Sequence, residues 1–312
     1  MSSTRIAITG AAGLVGQNLI ARLKRKGGYD IVALDKNANN LRVLRDLHPD
    51  ITVVEADLAE RGSWMQALDG AESVVVGHAQ IGGLVEDEFT RNNLVATERL
   101  LEALARGGDR HLVHISSSVV NSAAVDWYTE SKKAQEAMVR ATSNPHVVLR
   151  PTLMFGWFDR KHLGWLARFM HKAPVFPVPG HGRYLRQPLY VGDFCEIIAA
   201  CIDRRLSGAQ YNISGQERID YIDLIRLVRE ASGAKAPIVK VPYGAFRLML
   251  TAYALVDRNP PFTVKQLEAL VTPDVFEVID WPGIFGVRST PLKDAMHETF
   301  RDPRYSHVVL EF

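Results

Sequence analysis

Tyr128 and Lys132 stand four positions apart in Trp127-Tyr128-Thr129-Glu130-Ser131-Lys132, so on a helix both side chains leave the same face. A phenol with its ordinary pKa near 10 is a poor base at neutral pH, and a neighbouring ammonium favours the phenolate. Bringing that pKa to about 7 takes roughly three units, or roughly 4 kcal/mol, which a positive ring on a bound cofactor would help to supply. Upstream, Ser116-Ser117-Ser118 follows the apolar run His111–Ile115. A hydroxyl at the end of such a strand can share the proton on a substrate oxygen. The chemistry these groups suit is proton transfer to or from a hydroxyl or a ketone.

A second constellation lies near the N-terminus, in Thr9-Gly10-Ala11-Ala12-Gly13-Leu14-Val15-Gly16. It sits between a strand-like run, Ile6–Thr9, and a helical pattern carried by Val15, Leu19, Ile20 and Leu23. Glycines there let the backbone approach a pyrophosphate, and the helix start offers unpaired N–H groups and partial positive charge. Asp35 ends the second strand, 19 positions after Gly16. A carboxylate at that place accepts hydrogen bonds from both hydroxyls of an adenine ribose and repels a 2′-phosphate. The expected cofactor is therefore NAD rather than NADP, with Lys36 partly offsetting the repulsion. Asp57-Leu58, after the third strand, is placed to meet the adenine.

The elements that must position these groups alternate along the chain. Strands are expected at 6–9, 31–34, 51–54, 74–76, 111–115 and 147–149. A helix runs through Leu94, Leu100, Leu101 and Leu104, and another from about Trp127 to Ala141. Strands apolar on both faces and separated by helices imply a parallel sheet covered on both sides, hence an α/β doubly wound fold. After Pro151 prolines 174, 177 and 179 and glycines 180 and 182 break the pattern. Residues 1–150 are expected to form the dinucleotide-binding core. Residues 151–312 would form a smaller, mostly helical substrate lid, with 187–213 returning to the core.

The bulk numbers exclude more than they assign. Of 312 residues, 47% are hydrophobic and 23% charged, with a formal net charge of +2, as in ordinary soluble domains. Lys and Arg are interspersed with acids, which argues against a nucleic-acid partner. Two cysteines, Cys195 and Cys201, form neither a disulfide framework nor a metal cluster, and read as small buried hydrophobes in a reducing cytoplasm. No signal peptide is apparent, and the apolar stretch Ala245–Val256 is interrupted by Arg247 and too short for a bilayer. The aromatics Phe155, Trp157, Phe158 and Trp165 read as lid core ahead of a substrate pocket.

Taken together, Thr9-Gly10-x-x-Gly13-x-x-Gly16, Asp35, Asp57-Leu58, the serine run, Tyr128-x-x-x-Lys132 and Arg150-Pro151 resemble the extended short-chain dehydrogenases, in particular the NAD-dependent epimerase/dehydratase family. Asn93–Thr97, Leu189–Asp193 and Phe285–Arg288 resemble further segments of that family. The resemblance implies a Rossmann core and hydride chemistry. It implies Ser118 as catalytic hydroxyl, Tyr128 as acid/base and Lys132 as the partner that holds the nicotinamide ribose. It also places Gly10, Gly13, Leu14, Val15, Gly16, Asp35, Asp57, Leu58, Ala79, Asn93 and Pro151 around the dinucleotide, beside Tyr128 and Lys132. In that family an arginine after Gly-x-Gly holds the substrate diphosphate, and the matching position is Arg186. A homodimer is implied by resemblance alone.

Three departures bear on the substrate. Only nine residues separate Ser118 from Tyr128, Asn121 stands where the family often has tyrosine, and Gly77-His78-Ala79-Gln80 replaces His-Leu-Ala-Ala. His78 is expected to pack beside the cofactor rather than act as a base. The leading expectation is a cytoplasmic epimerase or dehydratase acting on a nucleotide sugar, most simply a UDP-sugar. The alternatives are a reductase or dehydrogenase of a non-nucleotide hydroxy or keto compound, such as a steroid-like or β-keto substrate, and a non-catalytic NAD-binding subunit. The intact Ser118, Tyr128 and Lys132 count against the last.

Overall fold

In a computed structural model of the protein the described residues are 3–123, 125–256, 263–272 and 276–311. Six strands follow in chain order: β1 (Thr4–Thr9), β2 (Tyr29–Asp35), β3 (Thr52–Glu55), β4 (Ser73–Val76), β5 (His111–Ile115) and β6 (His146–Pro151). A seventh, Gln210–Ile213, pairs with β6, and the sheet order is 210–213, β6, β5, β4, β1, β2, β3, every pair parallel.

Alternate residues of these strands feed opposite cores, as the two-residue period of a strand demands. Ile6, Ile8, Ile31, Ala33, Val75 and Val113 face a cluster with Leu19, Ile20 and Leu23 of helix α1 (Leu14–Lys26) and Phe194 and Ile198 of the helix Val191–Asp203. Ala7, Val32, Leu34, Val74, Val76 and Leu112 face Leu100, Leu104 and Val139 on the other side. The chain thus winds outward from β1 to β3, crosses back to β4, and winds outward again. The switch falls between β1 and β4, where open α/β sheets leave a crevice at the strands' carboxyl ends.

Beyond β6 the chain builds the lid from the helices Leu163–Lys172, Tyr221–Ser232 and Leu292–Arg301, then uses 191–203 and 210–213 to complete the core layer. Phe155, Met170, Phe176, Val228 and Met296 fill the lid's own core. Trp157 and Phe158 are buried against Tyr305, and Trp165 stacks on Phe169. Cys195 and Cys201 are buried and unpaired with one another; burial pushes both thiols up to about 12.

One expected helix is not uniform. The segment through Leu94 to Leu104 consists of an α-helical turn Glu86–Phe89, a π-helical stretch Thr90–Val95 and an α-helix Ala96–Ala105. Apolar periodicity finds such a helix but does not see the extra residue per turn, which here redirects Asn92 and Asn93. No helix among the described residues is long and apolar enough to cross a membrane.

Candidate active site

A cavity of about 740 Å³ opens at the switch point, lined by the loop after β1 and by the segments that follow β2, β4, β5 and β6. That volume is in the range of cofactor and substrate sites. At its base Gly10 has φ +67°, and a Cβ there would lie 2.6 Å from the carbonyl oxygen of Gly77. Any side chain at this position would therefore meet backbone across the crevice between β1 and β4. Gly13 begins α1 in an extended conformation without a side-chain cap, so the N–H groups of the first turn face the cavity beside Leu14 and Val15. Gly16 lies outside the lining. Its missing Cβ, which would fall 2.5 Å from Ala11, lets the helix sit close on the loop.

Asp35 faces the same cavity from the end of β2. One carboxylate oxygen accepts from the amide of Ala12 (3.0 Å) and the other from that of Asn37 (2.9 Å). Burial pushes its carboxyl above the ordinary value, and the amides of Asn37 and Ala12 pull it back. Each oxygen keeps a second acceptor position for a ribose hydroxyl. Lys36 does not hover over this point; its ammonium donates to Asn92 Oδ1 at 2.7 Å. Asp57 and Leu58 line the far end, with Asp57 paired to Arg91.

The strand end after β5 separates the three serines. Ser116 donates to Glu136 Oε2 (2.6 Å), which also receives Arg150 Nε at 3.0 Å, so its hydroxyl belongs to a buried brace. Ser117 is still extended, its hydroxyl accepts from Val119 N at 3.4 Å, and it acts on the phenol of Tyr128 by favouring the phenolate. Ser118 begins a 3₁₀ turn, Ser118–Asn121, and lines the cavity beside Ser117. Ser117 thus stands as a second candidate, beside the expected Ser118, for the hydroxyl that works with Tyr128. Spacing alone does not choose within a run of three, because the answer depends on where the strand stops and the turn starts.

Tyr128 and Lys132 both reach the cavity from the helix Trp127–Arg140, which Asp126 caps by accepting from Thr129 N at 2.9 Å. Their electrostatics differ from the expectation. Burial raises the Tyr128 phenol above its ordinary value, the Ser117 hydroxyl opposes this, and Asp126 reinforces it. The Lys132 ammonium turns instead to the carbonyl of Ile115 (3.0 Å) and to Gln135 Oε1 (2.5 Å). Burial lowers it to about 7, against the pull of Glu136.

The remaining expected residues divide. Ala79 and Pro151 line the cavity. Asn93 does not: it is buried, accepting from the amide of Gln80 at 2.6 Å and donating to Ser131 Oγ at 2.8 Å, so it braces the loop after β4 against the helix of Tyr128. His78 lines the cavity with both ring nitrogens engaged by hydroxyls, and desolvation lowers it to about 3. Arg186 lies outside the lining. Its guanidinium donates to the carbonyls of Leu185 (2.7 Å), Thr272 (2.9 Å) and Leu270, tying the lid together. Its peptide partners come from a segment 84 and 86 residues away, which no local motif reveals.

A glycine cradle at the switch point, an uncapped helix start and an acid at the end of β2 suit a dinucleotide. The profile of the NAD dependent epimerase/dehydratase family matches residues 6–214. The chain belongs to this family. It is 27% identical over 305 residues to a 3 beta-hydroxysteroid dehydrogenase/Delta 5-->4-isomerase of Mycobacterium tuberculosis, covering 87% of this chain and 81% of that protein. It is 25% identical over 276 residues to a dTDP-glucose 4,6-dehydratase of Streptomyces niveus, covering 76% and 80%. Among solved structures it resembles a UDP-glucose 4-epimerase of Thermotoga maritima with UDP-glucose, with a TM-score of 0.75, 16% identity, and 95% and 97% of the two chains covered. That last likeness establishes the fold, a Rossmann-type parallel sheet flanked by helices, and the family's cofactor is NAD.

Proposed function

We propose that the protein is an NAD-dependent oxidoreductase that interconverts a secondary alcohol and a ketone, with Ser117, Tyr128 and Lys132 as its working groups. The observation that carries this reading is that Ser117, Tyr128 and Lys132 line the same cavity as the glycine loop and Asp35. When bound, the nicotinamide supplies or takes the hydride. Gly10, Gly13 and the first turn of α1 hold the pyrophosphate, and Asp35 holds the adenine ribose. Tyr128 donates a proton to the substrate oxygen or removes one, and Ser117 fixes that oxygen by sharing the hydrogen bond. Lys132, with two of its three donors on Ile115 and Gln135, directs the third toward the ribose or the phenol and lowers the cost of the phenolate. Ser118 bounds the substrate rather than the proton.

A nucleotide sugar undergoing epimerisation or dehydration is the substrate that the dehydratase relative and the UDP-glucose-bound structure support. A second reading, a non-nucleotide hydroxy or keto compound, has a specific observation on its side. Arg186, the expected diphosphate ligand, is turned to lid carbonyls, and Ile81, Val119, Leu153, Met154 and Phe276 give the cavity apolar walls. The steroid dehydrogenase relative is consistent with it. Incubation of the NAD-loaded protein with panels of nucleotide sugars and of keto compounds, with products read by NMR, decides between them. Turnover of neither panel by a protein that binds NADH would contradict the enzymatic reading itself.

A further inference from the structure

A line of buried hydrogen bonds runs from Lys132 away from the cavity. Lys132 donates to Gln135 Oε1 (2.5 Å), and Gln135 Nε2 donates to Thr97 Oγ1 (2.9 Å) and to the carbonyl of His78 (3.2 Å). Thr97 Oγ1 lies 3.0 Å from His78 Nε2, and His78 Nδ1 lies 2.9 Å from Thr9 Oγ1. Thr9 in turn donates to the carbonyl of Val75 (3.2 Å). Thr9, Thr97, Gln135 and Lys132 are all buried.

The direction of every bond follows from the two ends. An ammonium has only donors, so Gln135 must present its oxygen to Lys132 and its NH₂ to Thr97. A carbonyl has only acceptors, so the hydroxyl of Thr9 points at Val75 and must accept from His78 Nδ1–H. A neutral imidazole protonated at Nδ1 accepts at Nε2, and the Thr97 hydroxyl supplies that proton. All five bonds therefore point the same way, from the charge toward β4. Bonds aligned head to tail polarise one another, and the oxygen presented to the charge becomes a better acceptor. A primary amide does not pass a proton on under these conditions, so the line acts as a fixed dipole and not as a relay.

We propose that Gln135, held by Thr97, His78 and Thr9, is a positioning residue that keeps Lys132 charged and aimed within a buried site. This rests on the reading of Lys132 as a working group of that site, given above. The groups facing the ammonium are few: Glu136 and Tyr128 on its own helix, His78 after β4 and His114 on β5. Glu136 alone favours the charge, and it is already bonded to Ser116 and Arg150. The two histidines are held neutral by burial, with Lys132 itself adding to the shift. The Ile115 carbonyl and the Gln135 oxygen are the neutral acceptors on the ammonium, and of the two it is Gln135 that carries an aligned line of hydrogen bonds behind it.

The test follows the lysine Cε resonance of Lys132 by NMR in the cofactor-free protein, assigned with Lys132→Met, across pH 5–11. Gln135→Leu and the near-isosteric Thr97→Val should lower the titration midpoint by about one unit, the scale expected for loss of a charge-assisted hydrogen bond. Gln135→Glu should raise it by about as much. NADH binding, measured separately by fluorescence at pH 8, should weaken several-fold in Gln135→Leu and Thr97→Val and recover at pH 6. Midpoints that stay with wild type, or that move the same way in Gln135→Leu and Gln135→Glu, overturn the proposal. Loss of NADH binding in the wild type would contradict the dinucleotide reading and leave the NMR comparison intact. Thr97→Val keeps the volume of the side chain, so the comparison survives if Gln135→Leu fails to fold.

Discussion

Ser117, one residue before the serine that the motif points to, lowers the phenol of Tyr128 against burial, while Ser118 begins a 3₁₀ turn along the same cavity wall. Ser117→Ala should therefore lower kcat by about a hundredfold or more, the scale of a lost acid–base partner, and Ser118→Ala by much less. Steady-state rates of the two variants on a turned-over substrate check this. Equal losses would return the role to Ser118.

Asp35 sets the choice of cofactor. Its carboxylate is fixed by the amides of Ala12 and Asn37, so a 2′-phosphate would be pressed against a charge that cannot swing away. Lys36, held at Asn92, gives little relief. NADH should bind more tightly than NADPH, and Asp35→Asn should narrow the gap. Calorimetric titration of both cofactors onto both proteins measures it. A wild-type preference for NADPH would overturn the assignment.

Burying the Lys132 ammonium costs stability where the unfolded chain holds a proton that the folded chain releases. Burial lowers the folded value to about 7, below an unfolded value of about 10.4. Between those values the unfolded state binds more protons, so this group makes stability rise with pH through that window. Lys132→Met removes the dependence. Urea melts at pH 6 and pH 9 should show the wild type gaining on the variant by on the order of 2–3 kcal/mol at the higher pH. A constant difference would mean that the lysine is not desolvated as described.

Much of the core was legible because it follows from local pattern. The run Val74–Val76 is a buried parallel strand, the glycine loop falls between β1 and α1, and the helix that carries Tyr128 begins at Trp127 as its pattern implies. What escaped depends on contacts distant in sequence. Asn93 reads as a cofactor residue until its three bonds, two with Gln80 and one to Ser131, are seen. Tyr128 and Lys132 do share a helix face, but the phenol is shifted by burial, Ser117 and Asp126, while the Lys132 ammonium is spent on Ile115 and Gln135. Gln135 and Glu136 carry no motif signal that separates them from other polar residues of an amphipathic helix.

Arg186 offers a test of substrate class that needs no turnover. Its guanidinium serves the carbonyls of Leu185, Leu270 and Thr272, so Arg186→Ala should lower stability by roughly 1–2 kcal/mol and leave any effect of UDP on melting unchanged. UDP that raises the melting temperature of the NADH-bound wild type, but not of the variant, would place a diphosphate at Arg186 after all.

The central claim is hydride transfer governed by Tyr128, and deuterium transfer from C4-deuterated NADH tests it most directly. Wild type and Tyr128→Phe are each loaded with the labelled cofactor and offered nucleotide keto-sugars and other keto compounds, which can accept its hydride, and products are analysed for deuterium by NMR. The two proteins should bind NADH equally well, because only a transferable proton has been removed. The account predicts label in a product of the wild type and none above background in the variant. Label appearing at the wild-type rate with Tyr128→Phe would contradict it.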